Sequence, residues 1–309
     1  MRTFLTRRIV FSIVALVGAT FIVFGLSRAL GDPRHLYLAQ GRFSQEQWDA
    51  LGKAMHLDKP LAFQYAIWLG RAMQGDWGTS VYNGRKVTEL IRQRIFNTLQ
   101  LGLAAFVFAG VLGVPLGILS AVKRGSMWDL FARGFALLGQ AAPPFWLGII
   151  LILVFAANLE WLPSATKGEG FAIRNFVLPT ITISWLFVSA NIRLVRTSVL
   201  EILDSEFIKL ARAKGVSQNS IIWKHAFRNA LIAPLTFAGI NIAALITGSV
   251  LTETVFAWPG LGRLAINAVY NNDFPVLTGC VFIFTLIYVA VNFIIDILYA
   301  IIDPRIRLS

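Results

Sequence analysis

A single cysteine, Cys280, excludes any disulfide within the chain. Charge is scarce as well: 14% of residues are Asp, Glu, Lys or Arg, against about 25% in soluble domains. The three histidines, His35, His56 and His225, fall in unrelated segments and form neither a metal cluster nor a catalytic dyad. No G-x-x-x-x-G-K-[ST] run is present, so nothing cradles a nucleotide phosphate. No G-x-S-x-G elbow and no H-E-x-x-H pair occur either. An enzyme reading therefore lacks a nucleophile, a base and a metal, and no cofactor is expected in this chain. Residues 260–265 spell G-x-G-x-x-A, but they follow Trp258-Pro259 rather than a strand, and no βαβ unit surrounds them. They read as a tight turn at a membrane surface, with Trp258 as an interfacial anchor.

What the chain has instead is hydrocarbon. Of its 309 residues, 56% are hydrophobic, and the mean hydropathy is +0.66. Six apolar runs are long enough, or nearly so, to cross a bilayer as helices: 9–26, 98–122, 134–159, 176–192, 231–252 and 274–295. The first exceeds the usual length of a signal-peptide core and reads as a retained span. Cys280 lies inside the last run and reads as a small hydrophobe in a helix. The fold class is thus an all-α, multi-pass membrane protein.

The net charge of +12 does not point to nucleic acid, because Lys and Arg cluster at the ends of the apolar runs. Arg2, Arg7, Arg8, Lys123, Arg124, Arg133, Arg305, Arg307 and the basic block 193–228 all share one side if the spans number six. The positive-inside bias then places both termini in the cytoplasm. The long 31–97 segment is also basic, but loops of this length translocate largely regardless of charge. It reads as a folded, helical extracytoplasmic subdomain. Ser44 and Gln47 form a capping box, with Phe43 and Trp48 as its hydrophobic staple. Pro60 starts a second helix that Gly75 closes. Val87, Leu90, Ile91 and Ile95 suggest a surface-lying helix leading into span two. The chain divides into an N-terminal helix (1–30), this subdomain (31–97) and a five-helix core (98–309).

Within the spans, Ala105, Ala109, Gly113 and Gly117 form a small-residue stripe, and Gly239, Ala243 and Thr247 a second. Pro115 and the pair Pro143-Pro144 are expected to kink or break their helices. The ionisable and polar groups at membrane depth are candidates for a translocation path or gate. They are Asp296, with Asn292 one turn earlier, and Glu253 at the outer end of span five. Asp296 otherwise pairs with Arg193 or Arg196, and Glu253 faces either a path or a partner protein.

The segment 206–229, EFIKLARAKGVSQNSIIWKHAFRN, is the most distinctive. Its charges cannot lie in hydrocarbon. Glu206–Lys214 has helical propensity and ends at Gly215, a natural position for left-handed backbone. Ser217 can cap a second helix through Ile221, Ile222 and Phe227. Two short helices at an angle make a knob suited to a groove in a soluble partner.

Here the chain resembles the inner-membrane permeases of binding-protein-dependent ABC importers, and within them the B-type subunit of the dipeptide/oligopeptide/nickel branch. The match lies in ARAKG (211–215) followed by HAFRNAL (225–231), in GDWGTS (75–80), PPFW (143–146), ETVFAWPGLGRL (253–264) and AIIDPRIR (300–307), in that order. The general family begins this loop with Glu-Ala-Ala; Lys209, Leu210 and Ala211 stand there instead.

The resemblance implies a type I importer permease pairing with a C-type permease, and half of a path for a di- or oligopeptide. Nickel, glutathione or an oligosaccharide are alternative cargoes, and a stand-alone secondary transporter is a more remote reading. It further implies two cytoplasmic ATPase subunits that hold ATP and Mg, and an extracytoplasmic substrate-binding protein. The ATPases would dock on the loop 201–229, with Lys209, Ala211, Arg212, Lys214, Gly215, Lys224, His225, Arg228 and Asn229 as coupling residues.

Overall fold

The computed structural model describes residues 2–29, 34, 44–164, 172–230 and 249–302, with isolated positions at 234, 237, 239, 241, 242 and 244. Among the described residues every regular element is helical, and one isolated antiparallel bridge joins Thr79 and Lys86. Among the described residues four helices are long and apolar enough to cross a membrane, or five if one sharply bent pair counts as a single span. The expected fifth run, 231–252, lies largely outside the described residues, as do the stripe positions Ala243 and Thr247.

By contacts the chain divides into two units, residues 1–97 with 259–293 and residues 98–258 with 294–309. In the first unit, α1 (Arg2–Ala29) carries Thr20, whose hydroxyl lies 2.8 Å from the phenol of Tyr65. Tyr65 belongs to α3 (Leu61–Met73), which follows α2 (Gln45–Ala54). Pro60 stands at the N-cap of α3, as the sequence suggests. Its C-terminus closes in a Schellman motif: Gly75 (φ +86) donates to Ala72 O and Asp76 donates to Arg71 O, each at 3.0 Å. Ser44 immediately precedes α2, while the Phe43 and Gln47 side chains lie outside the described residues.

The helix α4 runs unbroken from Val87 to Val122. At 1.5 Å per residue it is about 54 Å long, well beyond a hydrocarbon core of about 30 Å. Val87, Leu90 and Ile91 are therefore not a separate surface-lying helix. They are buried in the first unit against Leu261, Val276, Cys280 and Ile283. A 3.5-residue apolar rhythm serves a protein neighbour as well as a membrane surface, so the pattern alone does not name what buries it. Gly279 permits the approach: a Cβ there would lie 2.7 Å from Val87 Cγ1. Cys280 is fully buried in this cluster, as its apolar setting suggests.

Pro115 does not interrupt α4; a single missing N–H is tolerated in a membrane helix, where neighbouring groups re-satisfy the freed carbonyl. The Pro143-Pro144 break is real. Helices α5 (Met127–Ala141) and α6 (Pro144–Leu151, continued as a π-helix over Ile152–Asn158) meet at 106°. Ala142 and Pro143 are extended, and Pro144 supplies the first helical position, where its lost N–H costs nothing.

The rest of the second unit packs on α7 (Ile173–Leu203). The stripe on α4 lies against it: Ala105 beside Ile183, and Ala109 with Val188 and Ile192. A Cβ on Gly113 would come 2.7 Å from Asn191 Cβ, and one on Gly117 2.7 Å from Val195 Cβ. Asn191 donates to Ala109 O at 3.2 Å across this contact. This stripe is packing inside the chain. Trp258 is also internal, fully buried against Leu101 and edge-on to Phe176 at 4.6 Å. The interfacial-anchor reading of Trp258 is thus replaced by a core role. Gly260 begins a helix, α12 (Leu261–Tyr270), that follows the short α11 (Val250–Val255), rather than closing a tight turn. The last helix, α13, spans Phe274–Ile302.

Candidate functional site: a helical knob on the fourth span

At Asp204 α7 ends, and after one residue α8 (Glu206–Ala213) begins. Its C-terminus is a second Schellman motif: Gly215 N–H bonds Arg212 O at 3.0 Å and Val216 N–H bonds Ala211 O at 3.1 Å. This turn needs left-handed backbone at position 215, and Gly215 has φ +76. The chain then re-enters helix as α9 (Gln218–Ser220), a π-helical stretch (Ile221–Phe227) and α10 (Arg228–Ala230). Ser217 occupies the N-cap position as expected, but its hydroxyl makes no capping bond. The π-helical stretch was not legible in the sequence; such insertions are frequent at functional sites.

The knob is rigidly seated. Ile208 and Ala226 are fully buried, with Ile221 and Ile222, against Ile118 and Ala121 of α4 and Val195, Val199 and Leu203 of α7. Its outer surface is mixed. Lys209, Arg212, Lys214, Gly215, Lys224 and Asn229 are exposed, and Ala211 and His225 are half-buried. The Arg228 side chain lies outside the described residues. Lys209 Nζ pairs with Glu206 Oε1 at 2.8 Å, and Asn229 Nδ2 donates to His225 O at 2.7 Å.

Among these cations stand apolar groups the sequence reading did not single out: Phe207 at 44% exposure, Leu210 at 56% and Trp223 at 59%. Trp223 packs edge-on to Phe227 at 5.6 Å. Phe207 immediately precedes Ile208, which is buried in the seat, and is itself turned out of it. An apolar helix face on each side of α8 is the signal that could have found it. Large exposed apolar groups rimmed by cations mark a protein-binding surface.

A buried ion pair braces the seat. Asp129, in the first turn of α5, takes Arg196 Nε at 2.8 Å and Nη2 at 3.1 Å. It also accepts from Ser120 Oγ at 2.6 Å and Gly125 N at 3.0 Å. One carboxylate therefore ties together α4, the 123–126 turn, α5 and α7. Arg196 belongs to Asp129, and Arg193 donates to Gln140 Oε1 at 3.1 Å; the side chain of Asp296, the partner expected for either, lies outside the described residues.

The remaining candidates are dispersed. Asn292 Nδ2 donates within α13 to Tyr288 O at 2.8 Å, and the Asp296 side chain lies outside the described residues. Glu253 is fully buried and accepts from Thr98 Oγ1 at 2.7 Å and Ser249 Oγ at 2.9 Å. Its carboxylate is enclosed by the protein in this structure. Among the described residues no group of His, Cys, Asp and Glu could hold a metal.

With this geometry in hand, three comparisons converge. Residues 113–308 match the family described as the binding-protein-dependent transport system inner membrane component. The oligopeptide transport system permease protein AppB of Bacillus subtilis is 37% identical, over 99% of this chain and 100% of that protein. The dipeptide transport system permease protein DppB of Escherichia coli K12 is 34% identical over 99% of each. The same holds for the di/tripeptide permease DppB of Pseudomonas aeruginosa. Among solved structures, a chain of the MetNI methionine ABC transporter superposes with a TM-score of 0.57 at 21% identity, covering 69% of this chain and 96% of that one. An amino acid ABC transporter superposes at 0.52, over 71% and 94%.

Proposed function

The chain belongs to the family of binding-protein-dependent transport inner membrane components, and from that premise we infer that it is the B-type permease subunit of an ATP-driven importer of di- or oligopeptides. The full-length likeness to peptide permeases carries the cargo class. The seated knob with its exposed apolar face carries the mechanism.

In this reading the knob faces the cytoplasm, as do both termini, and fits a groove in one of two ATPase subunits that hold ATP and Mg. A second, C-type permease completes the path, and an extracytoplasmic binding protein delivers the peptide. Ile208, Ile221, Ile222 and Ala226 are packed into the adjoining ends of α4 and α7, so a push on the knob moves those helices with it. Close-packed interfaces transmit displacement rather than absorbing it. The residues 209, 211, 212, 214, 215, 224, 225, 228 and 229 are the coupling surface, extended by Phe207, Leu210 and Trp223. Pro143 and Pro144 at the helix break, and separately Asn292 and Asp296, are the residues we assign to the path; Glu253 supports the core of the second unit.

The test is reconstitution. Proteoliposomes holding this chain, its C-type partner and the ATPase pair should take up a dipeptide only with ATP and the binding protein present. Uptake by this chain alone would establish a secondary transporter instead.

A further inference from the structure

We propose that Thr182 and Trp185 of α7 are positioning residues of the transport cycle: their buried donors, uncommitted in this structure, take up the carbonyls left free at the Pro143-Pro144 break when the α5–α6 elbow shifts on α7. The inference rests on the importer reading above.

The acceptors follow from the sequence. Ala142 N–H gives α5 its last bond, to Leu138 O at 3.1 Å, and Leu147 N–H bonds Pro143 O at 3.1 Å in the first turn of α6. Between them Pro143 and Pro144 bring no N–H. The carbonyls of Gly139 and Gln140, four residues earlier in each case, therefore have no helical donor. In hydrocarbon no water supplies one, so such groups turn to neighbouring helices.

The donors are on α7. Thr182 is fully buried and its Oγ1 has no partner; neither has the buried Nε1 of Trp185. Other hydroxyls of this helix donate one turn back, Ser184 to Thr180 O at 2.6 Å and Ser189 to Trp185 O at 3.0 Å. Three residues apart, Thr182 and Trp185 share a helix face, and that face lies against the elbow. A Cβ on Gly139 would stand 3.2 Å from Trp185 Nε1 and overlap Ser189 Oγ, and one on Gly148 would stand 3.4 Å from Thr182 Oγ1. Phe135 of α5 packs on the Trp185 ring, 4.5 Å between centroids. Donors and acceptors thus lie along one seam without bonding each other.

A buried polar group left unpaired weighs against the arrangement that strands it. Glycine at both contact points puts no side chain of its own in the way of a slide. A shift that brings the free carbonyls onto the indole N–H and the hydroxyl gives a second packed arrangement of the same helices, as a two-state transport element requires.

The experiment uses the assembled importer in nanodiscs. Thr182→Val keeps the shape and removes the hydroxyl, Trp185→Phe removes the N–H, and Thr182→Ser keeps the O–H. Thr180→Val is the control: its hydroxyl is also buried and unpaired, but Thr180 lines a groove with Gln100 and Leu103. Melting temperatures are read without nucleotide and after trapping with ATP and vanadate, and peptide uptake per ATP is read in proteoliposomes. Removing a donor relieves the state that strands it and weakens the state that uses it. Thr182→Val and Trp185→Phe should therefore change the gap between the two melting temperatures by about 2 °C or more and cut uptake per ATP about fivefold. Thr182→Ser should keep parental values, and Thr180→Val should move both melting temperatures together and leave uptake unchanged. The proposal is overturned if Thr182→Val moves both temperatures equally, if it lowers both (the hydroxyl then holds bound water or serves packing alone), or if Thr180→Val has the same effect. Thr182→Val decides by itself if the larger Trp185→Phe change fails to co-elute with the ATPase pair. A parent complex that ignores nucleotide and takes up no peptide overturns the importer reading; a parent that responds, with Thr182→Val behaving like Thr180→Val, overturns this inference alone.

Discussion

Arg196 holds both oxygens of Asp129, through Nε at 2.8 Å and Nη2 at 3.1 Å, across 67 residues of sequence. Asp129 is 3% exposed and Arg196 20%, so the pair sits beneath the knob's seat rather than on the surface. Removing one partner of such a pair strands the other, at a cost of about 3 kcal/mol or more. Asp129→Asn should lower the melting temperature of the purified complex by several degrees, and Ser120→Ala, which removes one neutral donor, by much less. Differential scanning fluorimetry checks the order; equal, negligible shifts would show that the pair braces nothing.

The turn at Gly215 separates strain from crowding. Nothing lies within 4 Å of the Cβ position there, yet φ is +76. Any cost of substitution is therefore conformational, about 1–2 kcal/mol. Gly215→Asn should be mildest, Gly215→Ala intermediate and Gly215→Val worst, because Asn tolerates left-handed backbone and a β-branched residue does not. The Val variant should insert and assemble but lose peptide uptake per ATP hydrolysed. Coupled uptake at the parental ratio would remove the turn from the mechanism.

The stripe on α4 makes a sharper steric test. A Cβ at Gly117 would stand 2.9 Å from Ile192 O and 2.7 Å from Val195 Cβ, whereas one at Gly110 would meet nothing within 4 Å. Gly117→Ala should destabilise by about 1–3 kcal/mol through overpacking, and Gly110→Ala should leave stability unchanged or slightly raised. Thermal melting in detergent distinguishes the two; equal tolerance would mean that α4 and α7 do not approach this closely.

On the knob, Trp223 and Ile208 should fail in different ways. Trp223 is exposed and Ile208 buried. Trp223→Ala should preserve the permease's melting temperature and weaken ATPase binding at least tenfold, as an interfacial aromatic anchor does. Ile208→Ala should loosen the seat itself, costing about 2–5 kcal/mol. Affinity measured by biolayer interferometry, beside melting curves, checks the split.

Local chemistry was the readable part of this chain. Gly215 and Gly75 announced their helix ends because few other residues accept that backbone, and Pro143-Pro144 announced a break because two successive rings cannot continue a helix. Val87–Ile95 misled because amphipathic rhythm names a buried face and not what buries it. Trp258 misled for the same reason: tryptophan beside a span suits an interface or a core, and only Phe176 and Leu101, distant in sequence, decide between them. Asp129 was invisible because its meaning depends on Arg196 and Ser120 arriving from other helices. The exposure of Phe207, Leu210 and Trp223 is hidden in the sequence because the basic residues around them dominate the composition of the loop.

The most direct measurement is site-directed cross-linking from the knob in the assembled importer. Cys280, the single native thiol and a buried one, is replaced by Ala, and a cysteine is placed at Leu210. A short bismaleimide should join position 210 to an ATPase subunit, with the yield changing between nucleotide-free and ATP-bound states. Labelling of that cysteine from the extracytoplasmic side, or a complex in which it reaches no ATPase in either state, would contradict the account.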